Sequence, residues 1–189
     1  MLSSHFYRSA LNRLKKDEVL PMNRSLQCDI EFIKVSYRAQ LVICQDIIRK
    51  SFATAAHKHG LTQENCPSHT SFIKLERLER QFDEGRPMFI VKHLDELIGY
   101  YSLSAARDRE IELNNLSVLP AYRNKGIGKR IVDHAKVKAK SLGADTLLIG
   151  IIDNDQQLKS WYQKQGFIQF ASQKLPHLPF TVGYLSCKL

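Results

Sequence analysis

One short stretch of this chain combines the residue types that bind phosphate. Residues 123–129 read Arg-Asn-Lys-Gly-Ile-Gly-Lys, so cationic side chains and glycines lie within a few positions of one another. A strand-like apolar run precedes this stretch, and an amphipathic run with helical spacing follows it. The first N–H groups of a helix lack intrahelical partners, and the helix dipole is positive at that end. This turn is therefore expected to bind an anion, and a pyrophosphate is its natural ligand.

Two common phosphate-binding loops do not fit this stretch. A dinucleotide fingerprint requires a third glycine three residues after the second, and Ile131 stands at that position. A Walker A loop requires Ser or Thr after Gly-Lys and another glycine five residues before that pair. Arg130 and Arg123 occupy those two positions, so both loops are excluded.

The flanking sequence predicts a strand, a helix and a second strand, in that order. Residues 111–120 form a mixed apolar and polar run that ends at a proline. Apolar side chains then recur at helical spacing over residues 127–142, and Gly143 is a helix stop. Residues 146–152 read as a buried strand, and polar residues 153–155 provide a cap for another helix. This order implies two parallel strands joined by a right-handed crossover.

Two motifs at these positions resemble those of one enzyme superfamily. The Arg-x-x-Gly-x-Gly pattern at residues 123–128 resembles the acetyl-CoA loop of the GNAT N-acetyltransferases. Asn154, followed eight residues later by Tyr162 and then by Gly-Phe at 166–167, is similar to the second signature of that family. Gln157 departs from it, because the family usually carries a small residue there. Two spaced motifs in the right order are more specific than either alone, so the second half of the chain is identified as a member of the GNAT superfamily.

The resemblance implies an α/β fold, the GNAT acyl-CoA N-acyltransferase fold. In that fold a mixed central sheet of about six or seven strands is flanked by about four helices. The first half of the chain agrees with this expectation. Its spacing predicts a strand at residues 30–37, helices at 41–61 and 71–85, and a hairpin formed by 88–91 and 97–101.

The resemblance also implies an activity, the transfer of an acetyl group from acetyl-CoA to a primary amine by direct attack, without a metal. Free amines have a pKa of about 10, so most are protonated at neutral pH and need a base. Glu112 matches the general base in the histone-acetylating branch of the family. Two alternatives stay open. Glu112 is a surface carboxylate paired with Arg107 or Arg109, or an ordered water replaces it as the base. Asn114 and Asn115 either hold such a water or mark an irregularity in the strand.

Tyr162 is the candidate acid, because the departing thiolate benefits from a proton and the family carries a tyrosine at this position. The alternative is a core tyrosine on one stripe with Leu158 and Trp161. Acetyl-CoA contacts are implied for the strand before the loop, for the loop and for the second motif. These residues are Leu116, Val118, Arg123, Asn124, Lys125, Gly126, Ile127, Gly128, Lys129, Asn154 and Tyr162.

The amine acceptor is the least legible part of this function. In the GNAT family, the last hairpin and the region between the first two helices border the acceptor pocket. Residues 175–184 are expected to form that hairpin. His177 either touches the acceptor, relays a proton or is an ordinary loop histidine. Because no extra recognition module is evident, a small-molecule amine is favoured over a protein or peptide. A non-catalytic acyl-CoA-binding sensor is the alternative from another class.

Composition agrees with one soluble domain. The chain has 189 residues, a net charge of +9 and no apolar run near the roughly 20 residues that cross a bilayer. Its basic residues cluster at the loop and are otherwise dispersed, so neither nucleic acid nor a membrane is expected as a partner. The cysteines lack metal or disulfide spacing, which favours free thiols in the cytoplasm. Residues 30–189 are expected to form the N-acetyltransferase domain after a loosely ordered extension at 1–29. A homodimer is left open.

Overall fold

The computed structural model describes residues 30–189, so the expected extension at 1–29 lies outside the described part of the chain. The strands are β1 (Ile30–Lys34), β2 (Met88–His93), β3 (Glu96–Ala105), β4 (Glu110–Val118), β5 (Thr146–Ile152), β6 (Ile168–Lys174) and β7 (Thr181–Lys188). The α-helices are α1 (Gln40–Lys58), α2 (Leu75–Asp83), α3 (Ile127–Ser141) and α4 (Gln156–Lys164). Short 3₁₀ helices lie at Thr70–Phe72 and Pro120–Tyr122.

All seven strands form one mixed sheet in the order β1-β2-β3-β4-β5-β7-β6. Strands β1 to β4 form an antiparallel meander, and β4 pairs with β5 in parallel. Helix α3 is the crossover between those two parallel strands, as the sequence predicts. Strand β7 is inserted between β5 and β6 and is antiparallel to both. The predicted fold class is confirmed, with a seven-stranded mixed sheet and four α-helices over residues 30–189.

The two faces of the sheet carry separate apolar cores. Successive side chains of a strand point to opposite faces, and the neighbours Tyr100 and Tyr101 on β3 show the division. Tyr100 packs in the core beneath α1 and α2, whereas Tyr101 packs in the core beneath α3 and α4. Both tyrosines are fully buried. Any side chain on β3 or β4 can therefore be assigned to the α1–α2 face or to the α3–α4 face.

One predicted helix is wrong in its bounds. The run 71–85 divides into a 3₁₀ turn at Thr70–Phe72 and α2, which begins only at Leu75. Between them Ile73 has an extended ψ of 130° and is buried, and its carbonyl accepts a hydrogen bond of 3.0 Å from Gln45 of α1. Burial of Ile73 and this bond to α1 are tertiary interactions, and they override the local helical spacing.

The hairpin elements agree more closely with expectation. The turn between β2 and β3 falls at Leu94 and Asp95, and Leu94 adopts the left-handed φ of 53° that a tight turn requires. Residues 175–180 connect β6 to β7, so the predicted run 175–184 is the loop and first part of the last hairpin. No helix within residues 30–189 is both long and apolar enough to span a membrane.

Candidate active site

The sheet opens between β4 and β5. Their parallel pairing covers three residue pairs, from Glu110↔Thr146 to Glu112↔Leu148, and then ends. Beyond that point β5 keeps its pairing with β7 as far as Ile152, while β4 keeps its pairing with β3 as far as Val118. The facing edges of the two strands therefore separate toward their carboxyl ends. A crevice of this kind is the usual ligand position in an open α/β sheet.

A β-bulge lies in β4 beside this opening. Tyr100 pairs with Ser117 and Ser102 pairs with Asn114, so β4 carries one more residue than β3 between these pairs. Asn115 adopts a left-handed φ of 52° within the bulge, and its carbonyl accepts a 2.8 Å hydrogen bond from the Ser117 hydroxyl. The strand irregularity expected at Asn114 and Asn115 is confirmed. The bulge places Leu116 against the α3–α4 core beside Val118, where the crevice begins.

The loop before α3 presents a row of unpaired backbone donors. Asn124 and Gly126 have φ of 60° and 78°, and Gly126 is the N-cap residue just before α3. Within the described part of the chain, no protein acceptor meets the N–H groups of residues 124–129. The first intrahelical bond there is from Arg130 N–H to the Gly126 carbonyl, at 3.2 Å. Left-handed residues followed by a helix N-terminus form a concave cluster of N–H groups that suits an anion.

The cationic side chains of this loop are arranged in different ways. Lys129 pairs with Asp133 at 2.7 Å on the exposed surface of α3. Lys125 is exposed, with its ammonium 5.3 Å from the centre of the Tyr122 ring. Arg123 instead turns toward the protein, and its guanidinium is engaged by three acceptors.

Those three bonds tie the loop to two elements. Arg123 donates to the Val118 carbonyl at the end of β4 at 3.0 Å, to the Thr54 hydroxyl at 2.7 Å and to the Ser51 carbonyl at 2.6 Å. Ser51 and Thr54 belong to α1, so one side chain joins α1, the end of β4 and the loop. In this arrangement Arg123 holds the loop in place, a role that the sequence pattern does not reveal.

Helix α4 packs directly on the start of α3. A Cβ atom added at Gly128 would lie 3.1 Å from Cζ2 of Trp161, so the indole occupies the space above this glycine. Ile127 beside it is 2% exposed and anchors the helix in the core. Glycine at position 128 therefore lets Trp161 pack closely on the start of α3.

Tyr162 lies on α4 and is 7% exposed. Its ring packs edge-on against Trp161 and Phe167, with ring centres 4.7 Å and 5.4 Å away. Among residues 30–189, no protein group forms a hydrogen bond with its hydroxyl. Burial raises the pKa of Tyr162 above its ordinary value, so the phenol is protonated at neutral pH and retains its proton for donation.

Glu112 lies on the α1–α2 face of the sheet. It pairs with Ser104 of β3. Because side chains alternate along a strand, Ser104 lies on the same face as Ser102 and Tyr100, and so does Glu112. Burial raises the pKa of Glu112, and the nearby positive charge of Arg86 lowers it in part. The raised pKa brings this carboxylate closer to the range in which a general base is effective at neutral pH.

The alternative pairing of Glu112 with Arg107 or Arg109 is wrong. Arg109 forms an ion pair of 2.6 Å with Asp145, which lies just before β5. Across residues 30–189, no ion pair joins Glu112 to either arginine. Asn114, the proposed water ligand, donates to the Ser104 hydroxyl at 2.8 Å and to the Glu112 carbonyl at 3.1 Å. Its amide therefore stabilises the strand next to Glu112.

A cleft of about 500 Å³ lies where β5 ends. Three segments form its walls, namely the loop after α1, the turn between β5 and α4, and the β6–β7 loop. Its lining residues are His59, Gly60, Leu61, Asn65, Asp153, Asn154, Gln156, Lys174, Pro179, Phe180 and Thr181. His177 is exposed and is not part of this wall. The loop after α1 and the β6–β7 loop are the two regions that the family resemblance assigns to an acceptor pocket. Asn154 borders the cleft just before α4.

The cap of α4 is Asp155, one of the three residues predicted for that role. Its carboxylate accepts from the Leu158 N–H at 3.1 Å, from Lys58 at 2.8 Å and is 3.2 Å from His59 Nε2. Asn154 does not cap the helix, and its exposed side chain is available to a ligand. The sequence carries no signal for the contact with Lys58 and His59, because about a hundred residues separate them from Asp155. In the region described, no cluster of three or more His, Cys, Asp or Glu side chains is arranged to hold a metal ion.

The chain matches the acetyltransferase (GNAT) family over residues 52–167. That match includes the β4–β5 opening, the loop before α3 and the whole of α4. The protein belongs to the GNAT acetyltransferase family.

Individual relatives agree with this assignment. The uncharacterized N-acetyltransferase YvbK of Bacillus subtilis is 44% identical over 73 residues, which is 39% of this chain and 47% of YvbK. The match therefore spans about half the length of that relative. The uncharacterized N-acetyltransferase Rv2669 of Mycobacterium tuberculosis is 28% identical over 54% of this chain and 69% of its own length.

Solved structures share the fold at lower identity. A GNAT family acetyltransferase from Elizabethkingia anophelis with acetyl-CoA bound has a TM-score of 0.61 and 19% identity, covering 86% of this chain and 99% of its own. A Bacillus subtilis acetyltransferase in complex with CoA has a TM-score of 0.58 and 24% identity, covering 85% and 98%. At such identities the comparison establishes the fold, and the substrates have to be argued from this chain's own residues.

Proposed function

We propose that this protein is an acetyl-CoA-dependent N-acetyltransferase that acetylates a primary amine by direct attack. The observation that carries the proposal is the row of backbone N–H groups at residues 124–129, which have no protein acceptor in the described part of the chain. The first N–H groups of a helix lack intrahelical partners, and a row of them beside two left-handed residues fits a ligand with several anionic oxygens. The pyrophosphate of acetyl-CoA meets that requirement.

The neighbouring elements suit the rest of the cofactor. The crevice between β4 and β5 starts at the same sheet edge, and Leu116 and Val118 line its β4 side. In this proposal their backbone groups hold the pantetheine arm, while Asn154 contacts it from the β5 side. Residues 124–129 bind the pyrophosphate, with Lys125 and Lys129 adding positive charge. Arg123 acts by holding the loop. Bound acetyl-CoA or CoA in fold neighbours supports this choice of co-substrate.

The reaction requires proton transfers at nitrogen and at sulfur. Glu112, directly or through one water, takes the proton that an acceptor ammonium must lose before it can attack. The neutral amine nitrogen then attacks the thioester carbonyl, a C–N bond forms, and the C–S bond breaks with release of a thiolate. The second proton on the bonded nitrogen leaves to solvent as the amide forms. Tyr162 donates a proton to the departing thiolate, and its protonated state at neutral pH supports that role. In this proposal Glu112 acts from the α1–α2 face, and Tyr162 acts from α4 on the other side of the opening.

The acceptor in this proposal is a small-molecule amine. The cleft of about 500 Å³ has the volume of a small-molecule site, and it is closed on three sides by protein segments. A protein or peptide acceptor is the alternative within the same activity. A non-catalytic acyl-CoA sensor is the alternative outside it, and the half-buried Glu112 with its raised pKa favours the enzyme.

Thiol release from acetyl-CoA tests the activity directly. We expect the purified protein to release CoA thiol in the presence of one or more amines from a panel of monoamines, amino acids, polyamines and peptides. The variants Glu112→Gln and Tyr162→Phe serve as controls that retain the shape of the site. A protein that binds acetyl-CoA tightly but gives no amine-dependent thiol release would be a sensor.

A further inference from the structure

The charges of the cleft define which amines it can hold. One carboxylate, that of Asp153, lines its β5–α4 wall, and Asp155 follows in the same turn without lining the cleft. Both carboxylates are paired with a lysine inside the protein. Asp153 accepts from Lys159 at 2.7 Å, from Gln169 at 2.8 Å and from Ser172 at 3.1 Å. These partners hold the pKa of Asp153 below its ordinary value, so the group stays charged and paired.

Asp155 is paired just as completely. Its two carboxylate oxygens are engaged by Lys58 and His59, and one of them also caps α4. Asp153 and Asp155 therefore each have a cationic neighbour within the protein. A second ammonium group on the acceptor would find no unpaired carboxylate among the described residues that line the cleft.

Lys174 has the opposite character. It lies at the end of β6 and lines the cleft, and it forms no ion pair with any residue from 30 to 189. Among the described residues that line the cleft, it is the one lysine or arginine. A cationic group without an ion-pair partner complements an anion.

We propose that the acceptor is a small amine that carries an anionic group, such as a carboxylate, at its other end, and that Lys174 recognises this group. This inference rests on the proposed acetyltransferase function and specifies the substrate class of the same site. A polyamine is disfavoured, because its second ammonium would meet Lys174 without a free carboxylate to offset the repulsion.

A matched series of four-carbon amines tests the proposal. The compounds are 4-aminobutyrate, butylamine and putrescine, which share the reacting amine and chain length but end in a carboxylate, a methyl group and an ammonium. Thiol release from acetyl-CoA gives kcat/KM for each compound with the full-length protein. We expect 4-aminobutyrate to be the best substrate of the three and putrescine the poorest.

Charge reversal at Lys174 identifies the residue responsible. Lys174→Glu is expected to lower kcat/KM for 4-aminobutyrate about tenfold, mainly through KM, and to raise it for putrescine, since repulsion replaces attraction at a partly exposed site. Lys174→Arg keeps the charge and should keep the preference. Lys140→Glu makes the same change in net charge near the far end of α3 and should leave the order of the three substrates unchanged.

The outcomes separate this inference from the function on which it rests. A preference for putrescine, or a Lys174→Glu variant with unchanged substrate ratios and an unchanged melting temperature, would overturn the anionic-acceptor proposal while leaving the acetyltransferase intact. Binding of acetyl-CoA without acetylation of any of the three amines would likewise overturn it. Absence of acetyl-CoA binding by the parent protein would instead refute the proposed function itself.

Discussion

Replacing Arg123 with methionine removes three hydrogen bonds while keeping most of the aliphatic stem. The guanidinium bonds of 2.6, 2.7 and 3.0 Å join the loop before α3 to α1 and to the end of β4. Two of the acceptors are carbonyls of buried residues, Ser51 and Val118, which are 4% and 8% exposed. Loss of the donor removes one hydrogen bond from each carbonyl, although the Ser51 carbonyl keeps the 3.0 Å bond from the Thr54 hydroxyl.

The expected cost follows from these contacts. A hydrogen bond to a charged group contributes about 1.5–3 kcal/mol, but the third acceptor, the Thr54 hydroxyl, is free to bond water instead. Fixing the Arg123 side chain also costs the parent up to about 2 kcal/mol of conformational entropy, and this cost offsets part of the gain from its hydrogen bonds. We therefore expect Arg123→Met to lower the free energy of unfolding by about 2–4 kcal/mol. Arg123→Lys keeps the charge but has a different donor geometry. Its free energy of unfolding should fall between those of the parent and Arg123→Met.

The sole tryptophan makes the assay direct. Trp161 packs on Gly128 at the start of α3, so its fluorescence reports both urea unfolding and the binding of acetyl-CoA at the loop. Arg123→Met should shift the urea midpoint and weaken acetyl-CoA binding together. Lys125→Met, at an exposed position, should leave the midpoint within the equivalent of about 0.5 kcal/mol and weaken binding only. An Arg123→Met protein with an unchanged midpoint and abolished binding would show that the guanidinium contacts phosphate directly, against this reasoning.

Four further predictions concern the reaction, the loop and the N-terminus. Glu112→Gln should reduce turnover most at neutral pH, with partial recovery as the amine deprotonates; unchanged activity across the pH range would assign the base to water. Because burial raises the folded pKa of Glu112 above its unfolded value of 4.5, the parent loses stability as pH rises through that folded pKa. Glu112→Gln lacks this loss, and urea unfolding at about pH 4 and pH 8 should reveal the difference. Tyr162→Phe should cost about 10²–10⁴-fold in kcat with little change in acetyl-CoA affinity, whereas normal turnover with lost stability would make it a core residue. Gly128→Ala should destabilise by about 1–3 kcal/mol through its clash with Trp161, and Trp161→Phe in the same background should recover part of that loss in urea midpoints. A chain that starts at Met22 should retain acetyl-CoA affinity, and a large loss in titration would show that the removed segment contributes to the site.

Local patterns were sufficient for the second half of the fold. Residues 146–152 form a strand over their whole predicted length, and the helix begins at Ile127 where the glycine-containing turn ends. The parallel relation of β4 and β5 followed from element order, because a strand, helix and strand can return to one sheet in few ways. The Asn114-Asn115 pair marked the bulge, since asparagine tolerates a left-handed φ.

Contacts between residues far apart in the sequence could not be predicted from local sequence patterns. Arg123 is part of a phosphate motif by sequence, but its engagement with Ser51 depends on how α1 crosses β4. The salt bridge of Arg109 with Asp145 depends on the pairing of β4 with β5. The neighbours of Asp155, Lys58 and His59, lie almost a hundred residues earlier in the chain. In each case the residue type was visible, while its partner was fixed only by tertiary packing.

The central claim is that the loop at residues 124–129 binds the pyrophosphate of acetyl-CoA, and calorimetry tests it most directly. The parent protein is titrated with acetyl-CoA and, in parallel, with S-acetyl-pantetheine, which keeps the thioester and the arm but lacks the pyrophosphate and the nucleotide. Because the open N–H groups would form several charge-assisted hydrogen bonds with the pyrophosphate, acetyl-CoA should bind at least about 100-fold more tightly. Equal affinity for the two compounds, or no binding of acetyl-CoA, would contradict the account.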